Sequence, residues 1–355
     1  MVRGRMHGIA RYALELARRL PALAPDLSFL GLTAPEGLPS DLGALTPSIP
    51  LRRARAGFLA PLKEQPTLLM DLLELSPDLF HATSFSLPGL WNGKLVATLH
   101  DANHLALPEN YSPVHTLYYR LIVRPRAKRA SALLTVSEFS REELAKYLDL
   151  TPYRFQVIAP GVDAQYQPLT RSQAKDFIQR RRLPERYLAA VGNPKAHKNL
   201  GLLAKLAPQL PLPIVLLAGK GAARELGFPD TTVELTELPE DEMPLFYGAA
   251  EALLLPSRYE GFGLPALEAM AAGCPVIASN VSALPEVTGE AAILVPPDDL
   301  PAWNEAVLRL LRDDLLRRSL VEKGRERVSR YTWEDCARRT LAVYRRVLEK
   351  SPTSR

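Results

Sequence analysis

Short apolar runs recur along this chain, and segments whose apolar positions return every three or four residues lie between them. In the first half the runs predict strands over 27–32, 79–83, 95–99 and 132–136, with helices over 114–129 and 138–147. A further helix opens the chain, with Ile9, Tyr12, Ala13, Leu16, Ala17 and Leu20 on one face. The second half repeats this alternation more regularly. Strands are expected over 155–159, 187–191, 214–218, 232–235, 252–255, 276–278 and 292–295, and helices over 172–182, 200–206, 241–249, 265–272 and 301–312. A last amphipathic helix lies within 331–348, carrying Leu341, Val343, Tyr344, Val347 and Leu348 among arginines, and 351–355 reads as a frayed tail. Alternating short strands and helices imply an α/β fold with mostly parallel sheets covered on both faces. The 355 residues exceed one ordinary core, so two Rossmann-like domains are expected, with the boundary in the turn-rich 160–170 segment. Ligands of such sheets bind at the carboxyl ends of strands, which points to a cleft between the domains.

The opening of the chain departs from this scheme. Met1 to His7 is polar and basic, and the first helix follows without a preceding strand. The expectation is that the natural protein starts upstream and supplies that strand.

Composition narrows the function. No run approaches the roughly 20 apolar residues that span a bilayer, and no signal peptide is visible, so a cytoplasmic location is expected. Cys274 and Cys336 stand in none of the spacings of a zinc site or disulfide framework, and no structural metal is expected. The net charge is +5, with cationic clusters at Arg52/Arg53/Arg55, Arg124/Arg126/Lys128/Arg129 and Arg180/Arg181/Arg182. Their plain reading is solvated helix faces. They also leave open peripheral contact with an acidic membrane at its inner face, whereas no pattern for nucleic-acid binding accompanies them.

The chemistry concentrates in 257–278, after the strand expected over 252–255, where a glycine-bearing turn, a helix begun by Pro265 and a buried strand follow one another. Unpaired amides at a helix start suit an anion such as a phosphate. Two carboxylates, Glu260 and Glu268, flank that turn eight positions apart. Taken alone, Glu268 reads equally as a surface helix residue and Glu260 as a partner of the helix dipole.

An ordered set of motifs resembles the family 4 retaining glycosyltransferases of the GT-B fold. The set comprises Gly8-Ile-Ala-Arg-Tyr12, His100-Asp101, Thr135-Val-Ser-Glu-Phe-Ser140, Val157 to Asp163, Val191-Gly-Asn-Pro-Lys-Ala-His-Lys-Asn199, the paired glutamates and Tyr331-Thr-Trp-Glu-Asp335. The resemblance implies two Rossmann-like domains facing across a nucleotide-sugar cleft: 1–165 for the acceptor, 166–330 for the donor, and 331–355 as a terminal helix crossing back to the first domain. It implies that Glu260 meets the donor sugar's hydroxyls and that Gly261, Phe262, Gly263 and Leu264 offer amides to sugar and diphosphate. Glu268 would hold the ribose. Lys198 would compensate the leaving diphosphate, Gly8 would approach it, and His100 would stand beside the sugar. Asn193 stands where the family often has arginine, and Lys195 is the nearest substitute. Asp101 could instead cap a turn, and Ser137 could cap the helix beginning at Glu138.

The implied activity is a hexosyltransferase acting with retention and without metal. Its donor would be GDP-mannose or a UDP-hexose, and its acceptor a hydroxyl of a glycan, lipid-linked or small molecule. Such a same-face substitution needs no catalytic nucleophile, and Glu260 and Glu268 are not expected to act as the facing pair of a retaining glycosidase. Alternatives are a nucleotide-sugar epimerase of the same fold, or a nucleotide-sugar-binding protein without activity. Loops near 57–68 and 105–113 carry no readable acceptor code.

Overall fold

The computed structural model describes residues 8–33, 49–55 and 61–349, the side chains of 61–64 excepted. The polar start before Gly8, the tail at 351–355 and the first part of the 57–68 loop lie outside the described residues. The chain forms two compact units, one from Met1–Gly161 with Trp333–Arg355 and the other from Val162–Thr332.

In the first unit β1 (Gly31–Thr33) pairs in parallel with β2 (Leu51–Arg53). A separate parallel sheet runs β3 (Phe80–Ala82), β4 (Leu95–Thr98), β5 (Ala132–Thr135) and β6 (Phe155–Val157), in that spatial order. The period of two divides its apolar residues between two cores. Leu95, Ala97 and Leu133 pack with Leu144, Leu148 and Phe155 on one face. Val96 and Leu134 pack on the other with Tyr12, Leu16 and Leu20 of the helix Gly8–Leu23 and with Trp333, Cys336 and Tyr344 of the helix Trp333–Glu349. The terminal helix therefore crosses back and covers the first sheet. Glu15 is fully buried between these two helices and pairs with Arg18 and Arg19, and Arg19 also reaches Glu334 at 3.0 Å.

Several elements differ from expectation. The 27–32 run becomes a strand only at Gly31, and β2 is largely polar, so alternation could not reveal it. A helix, Pro61–Leu75, stands where a loop was expected, despite its internal Pro66. The 114–129 helix is α-helical at Pro113–Tyr118 and Arg124–Arg129 and π-helical between them, at Tyr119–Val123.

The second unit is a six-stranded parallel sheet: β7 (Leu188–Val191), β8 (Ile214–Leu217), β9 (Val233–Leu235), β10 (Ala252–Leu255), β11 (Val276–Ser279) and β12 (Ala292–Val295). Its spatial order is β12-β11-β10-β7-β8-β9. The chain winds outward from β7 through β8 and β9, then returns to β10 and winds the other way. Neighbouring β7 and β10 thus flank the topological switch point, where parallel sheets open a crevice at their carboxyl ends. A helix missed by the sequence pattern, Asp314–Val328, buries only Leu320 and Gly324. Gly324 lies against Met270, where even a Cβ would come within 3.2 Å.

Candidate active site

Two loops leave the switch point. After β7, residues 192–199 form an exposed turn and a short 3-10 helix, Ala196–Lys198. After β10, residues 256–263 lead into the helix Leu264–Ala271. Asn199, in the left-handed region at φ 53, donates its side-chain amide to the carbonyls of Pro256 at 3.1 Å and Pro297 at 2.7 Å. Arg258 donates its backbone N–H to His197 O at 2.7 Å. The two loops are therefore tied together next to Lys198.

Glu260 is the centre of this arrangement. Lys198 Nζ and Ser257 Oγ each donate to its Oε1 at 2.7 Å, and its own N–H donates to Ser282 Oγ at 3.1 Å. The Lys198 and Glu260 side chains are 20% and 10% exposed, so the ion pair is largely shielded from water. Gly261 to Leu264 follow at once. Gly263 takes φ 96, and a Cβ there would meet Leu284 Cδ2 at 2.7 Å, so conformation and space both favour glycine. Pro265 lacks an N–H in the first helical turn, where it would have no partner in the helix. Phe262 is buried against Tyr331, their ring centroids 5.6 Å apart, so its side chain serves the core.

Glu268 lies on the same helix, 8% exposed, and accepts from Tyr247 Oη at 3.4 Å. Burial and then the Glu268 charge hold the Tyr247 phenol well above its usual range, so it remains a donor. His197 is also buried. Burial, and next Lys198, push its pKa down to about 4, so it adds no charge beside Lys198 at neutral pH. Asn193 is exposed and its Oδ1 accepts from Lys195 N at 3.2 Å, which makes it a turn former. Ser257, Ser282, Asn199 and Tyr247 escaped the sequence reading. Only Ser257 had a local cue, three positions before Glu260.

The first unit holds His100 at the carboxyl end of β4. Its Nε2 donates to Thr83 O at 3.0 Å, and its ring packs edge-on against Tyr12, 5.0 Å between centroids. A small cavity beside it is lined by Ile9, Ser84, Phe85, Asp101, His104 and Tyr119. Beneath His100 runs a buried chain of hydroxyls and imidazole. Tyr12 Oη meets Thr98 Oγ1 at 3.1 Å, Thr98 Oγ1 meets His81 Nε2 at 2.8 Å, and His81 Nδ1 meets Tyr344 Oη. Burial, with His100 nearby, pushes His81 down to about 3, so it stays neutral. Asp101 accepts from Asn103 N at 2.9 Å and so caps a turn, and Ser137 caps its helix by accepting from Ser140 N at 3.0 Å. A Cβ added at Gly8, the first residue of the first helix, would meet nothing within 4 Å. Lys198, Glu260, 261–264 and Glu268 thus lie together in the second unit, while His100 and Gly8 belong to the first.

The cationic clusters are mostly satisfied internally. Arg52 and Arg55 pair with Glu74, Arg124 and Lys128 with Asp149, and Arg180 and Arg181 with Glu242.

Comparison with known proteins addresses both units. The family model described as Glycosyltransferase Family 4 matches residues 6–166, and that described as Glycosyl transferases group 1 matches residues 172–327. Among relatives, the O-antigen chain mannosyltransferase B of Escherichia coli is 28% identical over 366 residues, covering 95% of this chain and 96% of that protein. The MMP alpha-(1->4)-mannosyltransferase of Mycolicibacterium hassiacum is 32% identical over 237 residues, covering 63% of this chain and 56% of that protein. The sucrose-phosphate synthase of Thermosynechococcus elongatus shares the fold at TM-score 0.78 and 22% identity, over 97% of this chain and 94% of that one. Anabaena HepE, solved in complex with UDP and glucose, does so at TM-score 0.77 and 17% identity, over 97% of this chain and 98% of that one. The architecture is therefore GT-B, and none of these comparisons favours an epimerase.

Proposed function

We propose that this chain, which belongs to the family 4 and group 1 glycosyltransferases, transfers a hexose with retention from a nucleoside diphosphate sugar bound at the β7/β10 switch point. The observation that carries this reading is the shielded Lys198–Glu260 pair beside the amino end of the helix Leu264–Ala271. That arrangement sets a cation and a carboxylate next to the start of a helix, the groups needed for a diphosphate joined to a sugar.

In the proposed reaction an acceptor oxygen attacks the sugar's anomeric carbon as the bond from that carbon to the diphosphate oxygen breaks. The acceptor proton passes to the departing phosphate oxygen, on the same face. Lys198 and the amides of 261–264 stabilise the charge that develops there, which removes the need for a divalent metal. Glu260 accepts hydroxyls of the sugar, and Glu268, oriented by Tyr247, accepts hydroxyls of the ribose. In the first unit, His100 Nε2–H is committed to Thr83 O, which fixes the ring's orientation.

GDP-mannose is the favoured donor, supported by the mannosyltransferases among the relatives, and UDP-glucose is the alternative, supported by the HepE complex. The acceptor is a growing glycan or its lipid-linked form, and the reaction takes place in the cytoplasm. Thermal shift across nucleotide sugars tests the donor, since a ligand at 100 times its Kd stabilises by about 2.7 kcal/mol. One donor should raise Tm, and no rise with any would refute the reading.

Peripheral contact with an anionic membrane has its own support. Among the described residues no helix is long and apolar enough to cross a membrane. On 113–129, however, Val114, Leu117 and Leu121 are exposed at helical spacing, with exposed Arg120 and Arg129 on the same segment. Such a face suits the surface of an acidic bilayer. Wild-type protein should sediment with phosphatidylglycerol vesicles and not with phosphatidylcholine ones, and Leu117→Asp should abolish that. Equal sedimentation of the variant would refute the contact.

A further inference from the structure

We propose that Glu260, beyond holding the sugar, acts as a brake on the nucleoside diphosphate product, so that the site prefers a diphosphate carrying a sugar over one without. This inference rests on the donor-site reading above.

Lys198 has an anionic partner within the chain. Its ammonium already meets a carboxylate at 2.7 Å, and the two side chains are 20% and 10% exposed. At such shielding the interaction is stronger than between charges in open water. The carboxylate is also held in place. Ser257 donates to the same oxygen, and Ser282 anchors the backbone of Glu260. Neutral His197 adds no second cation. The local charge of the pair is therefore close to zero.

A diphosphate arriving at Lys198 gains a cation and meets an anion with it. A sugar changes that balance, because its hydroxyls donate to the carboxylate and give the negative charge a favourable role. Transfer removes those hydroxyls. The product also gains an ionisable phosphate oxygen where the sugar was attached, so its repulsion from Glu260 is greatest when it should leave. A site with Lys198 alone would hold the more highly charged product more tightly than the donor. Glu260 reverses that order, and its influence falls on the ratio of two affinities as well as on the chemical step.

Isothermal titration of GDP, UDP, GDP-mannose and UDP-glucose into the full chain tests this, with Glu260→Gln and the double variant Glu260→Gln/Lys198→Met beside the wild type. Glutamine matches glutamate in shape and can accept from Ser257, so the loop should be retained, and circular dichroism checks it. For the nucleotide that the wild type binds, Glu260→Gln should bind the free diphosphate about tenfold tighter and the nucleotide sugar no tighter. Adding Lys198→Met should erase the gain. Unchanged or weaker diphosphate binding in Glu260→Gln would overturn the brake, as would an equal shift for both ligands. Failure of the wild type to bind any of the four would overturn the donor-site reading itself, and the brake with it.

Discussion

In the second unit the groups proposed to act on the donor sit on the loops and the helix that follow two adjacent strands, and each side chain is held by one or two direct partners: Ser257 donates to Glu260, Lys198 pairs with Glu260, and Tyr247 donates to Glu268. In the first unit His100 rests on residues drawn from the whole length of that unit. Tyr12 comes from the first helix, Thr83 from the loop after β3, and the chain beneath it ends at Tyr344 in the terminal helix. A local site can lose a side chain and keep its scaffold, whereas a site resting on a buried chain of hydrogen bonds couples chemistry to stability. Substitutions in the second unit should therefore change turnover or affinity with little effect on Tm. Those beneath His100 should change both.

The largest effect is expected at Glu260. Glu260→Ala should lower transfer by about 10³-fold or more while leaving Tm nearly unchanged, as measured by donor turnover and calorimetry. Full activity in this variant would break the comparison at its donor side. Lys198→Ala should cost about 10²-fold in kcat, because charge on the leaving diphosphate develops in the transition state. A change confined to KM would instead assign Lys198 to ground-state binding.

The first unit gives the contrasting test. Tyr344→Phe removes the partner of His81 Nδ1 and should destabilise the protein by about 1–3 kcal/mol, read as a lower Tm. His81 also makes stability depend on pH. Its folded pKa, about 3, lies below the ordinary 6.5, so between these values the unfolded chain binds a proton that the folded one refuses. The stability present above about 6.5 is therefore lost as pH falls toward 3, and His197, pushed down to about 4, acts in the same direction. Tm should fall steadily from pH 7 to pH 4, less steeply in His81→Gln. A slope unchanged by that substitution would show that the buried chain is not what couples the first unit to pH. The smallest effect should be at Glu268, where Glu268→Ala weakens donor binding by about tenfold, or 1.4 kcal/mol, with kcat largely kept.

The same contrast explains what could be read from the chain beforehand. The central strands β7, β10 and β11 of the second unit are continuous apolar runs buried on both faces, and β10 and β12 fell where the pattern placed them. Lys198 and Glu260 were legible because each lies in a compact motif, although nothing in either motif announced their 2.7 Å contact across 62 positions. The partnership of His81, Thr98, Tyr12 and Tyr344 was invisible for the same reason: its members lie far apart in the chain. Among the elements, β2 and the helix Asp314–Val328 went unseen because both are rich in charge and bury little. Asn193 stands where the resembled family often has arginine, and its side chain shapes the turn that precedes Lys198.

The central claim is that the Glu260 site breaks the bond between a sugar and a nucleoside diphosphate. Its most direct test is release of nucleoside diphosphate from radiolabelled GDP-mannose and UDP-glucose by the wild-type chain and by Glu260→Ala, with and without a mannose-terminated acceptor. Release is expected from one donor, faster with acceptor, and from the wild type alone. Release from neither donor, or equal release by the variant, would contradict it.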